Sequence, residues 1–155
     1  MAVVRGLWLI VIFAIACGNS HAKSEQPVGR AFYYWRTTFA LSPAERTALA
    51  DVGVTRLYVR MFDIEWNTVE AAPRMVGKIT VAKDQQVPPG IEVVPVVFIR
   101  QEVFKHIDAA TGARLASDTW TEAKRRTELL GSTPREFQLD CDWTDSSKNR
   151  FFGFL

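Results

Sequence analysis

The sequence predicts an α/β fold built on parallel strands, and three observations carry that expectation. From Ala31 to Phe62 the order is strand, helix, strand, with a short turn from the helix into the second strand, which sets the two strands parallel. Ile91 to Ile99 is almost wholly apolar and β-branched, as a strand covered on both faces is. Each expected strand also finishes in polar residues: Arg36 and Thr37, Asp63 and Glu65, Arg100 to Glu102, then Asp140 and Asp142. In a parallel sheet those ends share one rim, where loops vary over a fixed framework. The opposite ends carry Arg30, Arg56, Glu92 and Glu136, so the asymmetry is modest.

The elements follow in order. Ala31 to Trp35 reads as an aromatic strand. Ser42-Pro43-Ala44-Glu45 starts a helix: Ser42 caps, Pro43 suits the first position and Glu45 completes a capping box. Gly53 stops that helix. Thr55 to Phe62 is a second strand. Asn67 to Gly90, with three prolines, reads as a long loop carrying a short hairpin arm, with strand-like alternation only at Lys78 to Ala82. In the third strand, Pro95 argues against a central position unless it lies near the strand start. Val103 to Ile107 begins a short helical piece that Thr111-Gly112 breaks. The main helix is expected from Asp118 to Leu130, with Trp120, Ala123, Thr127 and Leu130 near one face.

The fourth strand, Glu136 to Thr144, is the most informative. Alternation places Gln138, Asp140, Asp142 and Thr144 on one face, and Phe137, Leu139, Cys141 and Trp143 on the other. Two carboxylates stacked on one face of an apolar strand are tolerated mainly where they bind a ligand or exchange protons; an exposed edge-strand face is the plainer alternative. Ser146 or Ser147 caps a last helix from Lys148. The closing run Phe151, Phe152, Phe154, Leu155 has no polar final turn, which reads as a chain truncated relative to its fold; docking into its own core is the alternative.

With 155 residues and a formal net charge of +2, the chain suits one domain with a real core, and excludes a phosphate-tracking nucleic-acid surface. Lys124-Arg125-Arg126 reads as a solvated helix face. Residues 1–22 read as an export signal: Arg5, an apolar core from Leu7 to Ala16, then small residues. Two processing readings stand. Ala14-Ile15-Ala16-Cys17 resembles a lipobox, making Cys17 the lipidated first residue of a periplasmic or outer-membrane lipoprotein anchored in the membrane; Ser20-His21-Ala22 resembles an ordinary cleavage site. The lipoprotein is favoured, because a Cys directly after the apolar core is otherwise unexplained. Residues 23–30 then form a polar tether. Cys141 has only Cys17 as a possible mate, and is expected to be a small buried hydrophobe.

FYYWRTTF, RLYVRMFDIEW, VVPVVFIR and EFQLDCDWTDSSKNRFF together resemble an uncharacterised group of secreted bacterial (β/α)8-barrel proteins related to glycoside hydrolases. The resemblance spans most of Phe32 to Leu155. It implies a partial TIM-type barrel: about four parallel strands with intervening helices, the N-terminal half of a fold needing about twice this length. Such a half leaves strand edges for a second copy or a missing C-terminal half. The fourth strand also resembles that of chitinase-type glycosidases, D-x-x-D-x-D-x-E. Asp140 and Asp142 match its last two aspartates, while Thr144 stands where the glutamate would be, leaving Asp142 the best-placed acid.

Glycoside hydrolysis needs one protonated and one ionised carboxyl across the bond. Asp142 beside Asp140 would supply the first, since crowded like charges raise one pKa; Asp63 or Glu65 would supply or assist the second. Trp35, Trp66 and Trp143 are placed to stack on sugar faces, and Arg36 and Arg100 to bind hydroxyls or pair with the acids. The expectation is therefore an incomplete barrel protein acting on or binding carbohydrate without a cofactor; a non-catalytic glycan-binding surface lipoprotein and an inactive gene fragment are the alternatives. His21 and His106 form no metal-ligand pattern, Asp140 and Asp142 lack a helper ligand, and there is no Gly-rich phosphate loop or serine elbow.

Overall fold

The computed structural model describes residues 29–155. The expected export signal, Cys17 and nearly all of the tether lie outside them. The elements are β1 (Arg30–Tyr34), β2 (Thr38–Phe39), α1 (Pro43–Val52), β3 (Val54–Asn67), β4 (Ala72–Val76), β5 (Thr80–Val81), β6 (Glu92–Ile99), α2 (Gln101–His106), α3 (Ala109–Leu129), β7 (Gln138–Asp140) and α4 (Lys148–Phe154).

The fold is α/β. Its main sheet runs β1-β3-β6-β7, all parallel, so strand order across the sheet follows chain order without reversal. β4 adds an antiparallel hairpin to the far end of β3, where Asp63–Asn67 pair with Ala72–Val76. β6 already pairs with β3 up to Ile64, so β4 takes the other side of β3, in the lane that β1 leaves at Tyr34. β2 and β5 form a separate two-stranded parallel sheet. The described strands make an open sheet and do not close into a barrel.

Local chemistry explains the elements that follow expectation. Ser42 Oγ accepts from Glu45 N and Glu45 Oε2 accepts from Ser42 N, which completes the capping box; Gly53 ends α1 at φ 68°. Pro95 sits fully inside the sheet, but pairing with β7 begins only at Val96, which leaves no ladder bond on that side for the proline to break. The core lies between the sheet and the helices: Leu57, Val59, Phe62 and Ile64 of β3 and Val93, Val97 and Ile99 of β6 pack with Phe104, Leu115, Ala123 and Leu130.

Four expectations are corrected. The main helix begins at Ala109 and runs through Thr111-Gly112, because Asp108 caps it by accepting from Thr111 N at 2.7 Å; the break falls at Ile107–Asp108. Trp120 is not on its buried face, which is made of Leu115, Thr119, Ala123 and Thr127; it lies exposed, edge-on to Phe137. Arg126 is not solvated: it pairs with Glu122 and donates to the Ile79 carbonyl, tying α3 to the segment before β5. The closing apolar run is half accounted for within the chain. Phe151 and Phe154 pack edge-on against Phe104, whereas Phe152 and Leu155 stay exposed.

Candidate functional site

Register places the side chains of the sheet on two faces. Partners on neighbouring parallel strands point the same way, so Leu57–Val93 and Phe62–Val97–Leu139 face the helices. Tyr33–Tyr58–Val94, Arg60–Val96–Gln138 and Asp63–Phe98–Asp140 form successive rows on the opposite face, which no helix covers. Val94 and Val96 are nonetheless fully buried there, outside the main core. Their cover is local. Tyr33 stacks on Tyr58 at 4.9 Å, and Tyr33 Oη donates to Gln138 Oε1 at 3.0 Å, reaching from β1 to β7. The lower end of this face is closed by Arg56, which pairs with Glu92 and with Glu136, each at 2.9 Å.

The upper rim holds the expected acids in unequal states. Asp63 and Asp140 share a row, both partners of Phe98, two strand spacings or roughly 10 Å apart along the sheet. Asp63 is held in a two-pronged pair with Arg60, at 2.9 and 2.6 Å, across the bulge between Arg60 and Phe62. Arg60 also donates to the Gly77 carbonyl at 3.2 Å. Glu65 pairs with Arg74 of β4 at 2.9 Å and lies 4.0 Å from Arg100. Asp140 and Asp142 make no ion pair among the described residues. Both act on the half-buried Cys141 thiol between them: burial, then the charges of Asp142 and Asp140, push its pKa up to about 11.

The fourth strand is shorter than expected. β7 ends at Asp140, so Asp142 and Thr144 do not continue its face. Thr144, in the place of the chitinase glutamate, instead organises the turn into α4: its carbonyl accepts from Ser147 N and Lys148 N, and its own N–H donates to Ser147 Oγ. Asp142 is exposed beyond the strand.

The expected binding residues divide. Trp35 lies on the uncovered face, stacked on Tyr33 at 5.5 Å and 10° and half exposed. Arg100 stands at the rim beside Glu65. Trp66 points to the helix side and stacks on His106 at 4.7 Å. Trp143 packs edge-on against Phe152. Arg36 turns toward α1, where it pairs with Glu45, donates to Ala40 O and lies over the Tyr34 ring. It therefore neither faces the acids nor pairs with Asp140. Gln138 lies on the face of Asp140 as the alternation predicts, and Tyr33, Tyr58 and Arg60, which the sequence reading does not single out, complete the uncovered face. The period-2 alternation of RLYVRMFDIEW carries the signal for Tyr58 and Arg60, which flank Val59 on the polar side of that strand.

Among the described residues there is no group of three His, Cys, Asp or Glu side chains suited to a metal ion, and no helix long and apolar enough to cross a membrane. The fold and rim thus define an α/β protein with a singly wound parallel sheet and an acidic, aromatic end. No family model, curated protein or solved structure matches the chain, so any functional reading rests on this geometry and on the residues themselves.

Proposed function

We propose that this chain is an exported, glycoside-hydrolase-like protein whose uncovered sheet face binds carbohydrate, with the sheet as the first half of a (β/α)8 barrel. The observation that carries the reading is the near-parallel Tyr33–Trp35 stack, half exposed on the same face as the Asp63–Asp140 row. A flat aromatic surface beside fixed polar groups suits a sugar ring, which has one apolar face and a rim of hydroxyls. Strand order without reversal is also what a singly wound barrel requires.

Binding takes precedence over hydrolysis in this reading. Of the four acids expected to work on the bond, Asp63 and Glu65 are already paired with arginines, and Asp140 and Asp142 do not share a strand face and lack the glutamate of the chitinase pattern. The address rests on Ala14–Cys17; a Cys17→Ser variant that stays membrane-bound would remove the lipid anchor from the proposal. The binding test is tryptophan fluorescence during titration with a panel of β- and α-linked hexose and N-acetylhexosamine oligomers. One class should shift the emission, Trp35→Ala should lose that response, and Asp140→Asn and Asp142→Asn should reveal any hydrolysis. A panel without response, or binding unchanged in Trp35→Ala, refutes it.

A further inference from the structure

We propose that the sheet closes by pairing with a second copy of this chain, β1 of one protomer against β7 of its partner and the reverse, around a two-fold axis running along the strands. The inference does not depend on the ligand. Among the described residues β1 and β7 each pair on one side only, with β3 and β6 respectively. Unpaired strand edges are templates for further strands. Because β1, β3, β6 and β7 are all parallel and in chain order, two copies supply eight parallel strands with no reversal. Eight is the number at which a barrel interior is just filled by side chains. The face that would become that interior already carries layered side chains, from the Arg56 ion pairs at one end to the Asp63–Asp140 row at the other.

Each edge also carries the apolar surface such a seam would bury. β1 itself carries Phe32, and Val52 ends α1; beyond β7 stand Trp143 and Phe152, all exposed. The charged groups at the two edges are already engaged within the chain, Arg36 with Glu45 and Glu136 with Arg56, so the seam rests on backbone pairing and these apolar side chains. A two-fold arrangement satisfies both edges at once and leaves none open, unlike a head-to-tail chain of copies.

Sedimentation of the full chain should give a species of twice the protomer mass. Phe152→Glu, at an exposed apolar position beyond β7, should weaken that dimer at least ten-fold, whereas Val69→Glu, exposed in the β3–β4 hairpin, should leave it unchanged; circular dichroism checks that each variant keeps its fold. A folded monomer at all concentrations overturns the proposal. So do an open-ended series of oligomers, and a dimer indifferent to Phe152→Glu.

Discussion

Tyr33 Oη donates a 3.0 Å hydrogen bond to Gln138 Oε1, joining the first and last strands of the parallel sheet over its uncovered face. Three strand spacings separate β1 from β7, roughly 14 Å along a flat sheet. Side chains standing upright on a flat sheet would remain that far apart, so the meeting of these two requires the sheet to curl toward them. The curl roofs Val94 and Val96, which are fully buried without any helix above. The Tyr33 ring, stacked on Tyr58 in the row of Val94, belongs to that cover whether or not its hydroxyl is present. Tyr33→Phe should therefore destabilise by only about 0.5–1 kcal/mol, the net worth of a partly solvated hydrogen bond. Tyr33→Ala, which unroofs the two valines, should cost about 2 kcal/mol or more. Urea unfolding measures both; equal losses would show that the hydroxyl bridge dominates.

Gly77 is the second point at which geometry makes a sharp demand. It sits at φ +57°, and a Cβ there would meet Arg60 Nη2 at 2.8 Å. Arg60 cannot easily yield, because the same guanidinium grips both oxygens of Asp63. Gly77→Ala combines left-handed strain of about 1–2 kcal/mol with loss of that pair. Gly90 is the control: at φ +85° it has open space around its missing Cβ. Gly90→Ala should show backbone strain alone. Thermal or urea melts should rank Gly77→Ala clearly below Gly90→Ala; identical losses would mean that Arg60 moves freely aside.

How much of this was legible in the sequence depends on how local the cause is. The capping box at Ser42 and Glu45, the stop at Gly53 and the apolar run of β6 are written in adjacent residues, and each forms as read. The parallel arrangement followed from a βαβ order that leaves few alternatives. The site was less legible because its partners are chosen by register. Arg36 chose Glu45, nine residues on, over any rim acid; Arg60 claimed Asp63 through a bulge that no composition signals. Trp66 and Trp143 read as rim residues in the sequence because tryptophans near strand ends look alike in one dimension. Their companions, His106 and Phe152, come from α2 and α4. β7 does not continue through Thr144: it stops at Asp140, and Thr144 N–H bonds to Ser147 Oγ in the turn into α4 in place of a neighbouring strand.

Glu122 gives the fold its clearest expected response to acid. It accepts from Arg125 and from Arg126, each at 2.8 Å, and lies 3.3 Å from Lys78. Arg125 foremost, then Arg126 and Lys78, hold its pKa down to about 2 against the opposing effect of burial. A carboxylate depressed on folding contributes stability that is complete above its unfolded value, near 4.5, and is lost as pH falls toward about 2. The contribution matters beyond the helix, because Arg126 and Lys78 connect α3 to the segment carrying Ile79, a fully packed core residue. Glu122→Gln keeps the shape and removes the charge, so it should destabilise by about 1–3 kcal/mol at pH 6. The gap between wild type and variant should then narrow from pH 4.5 downward and nearly vanish by pH 2. Urea unfolding at a series of pH values measures the gap directly. A difference that stays constant across that range would assign the role of Glu122 to packing and not to its charge.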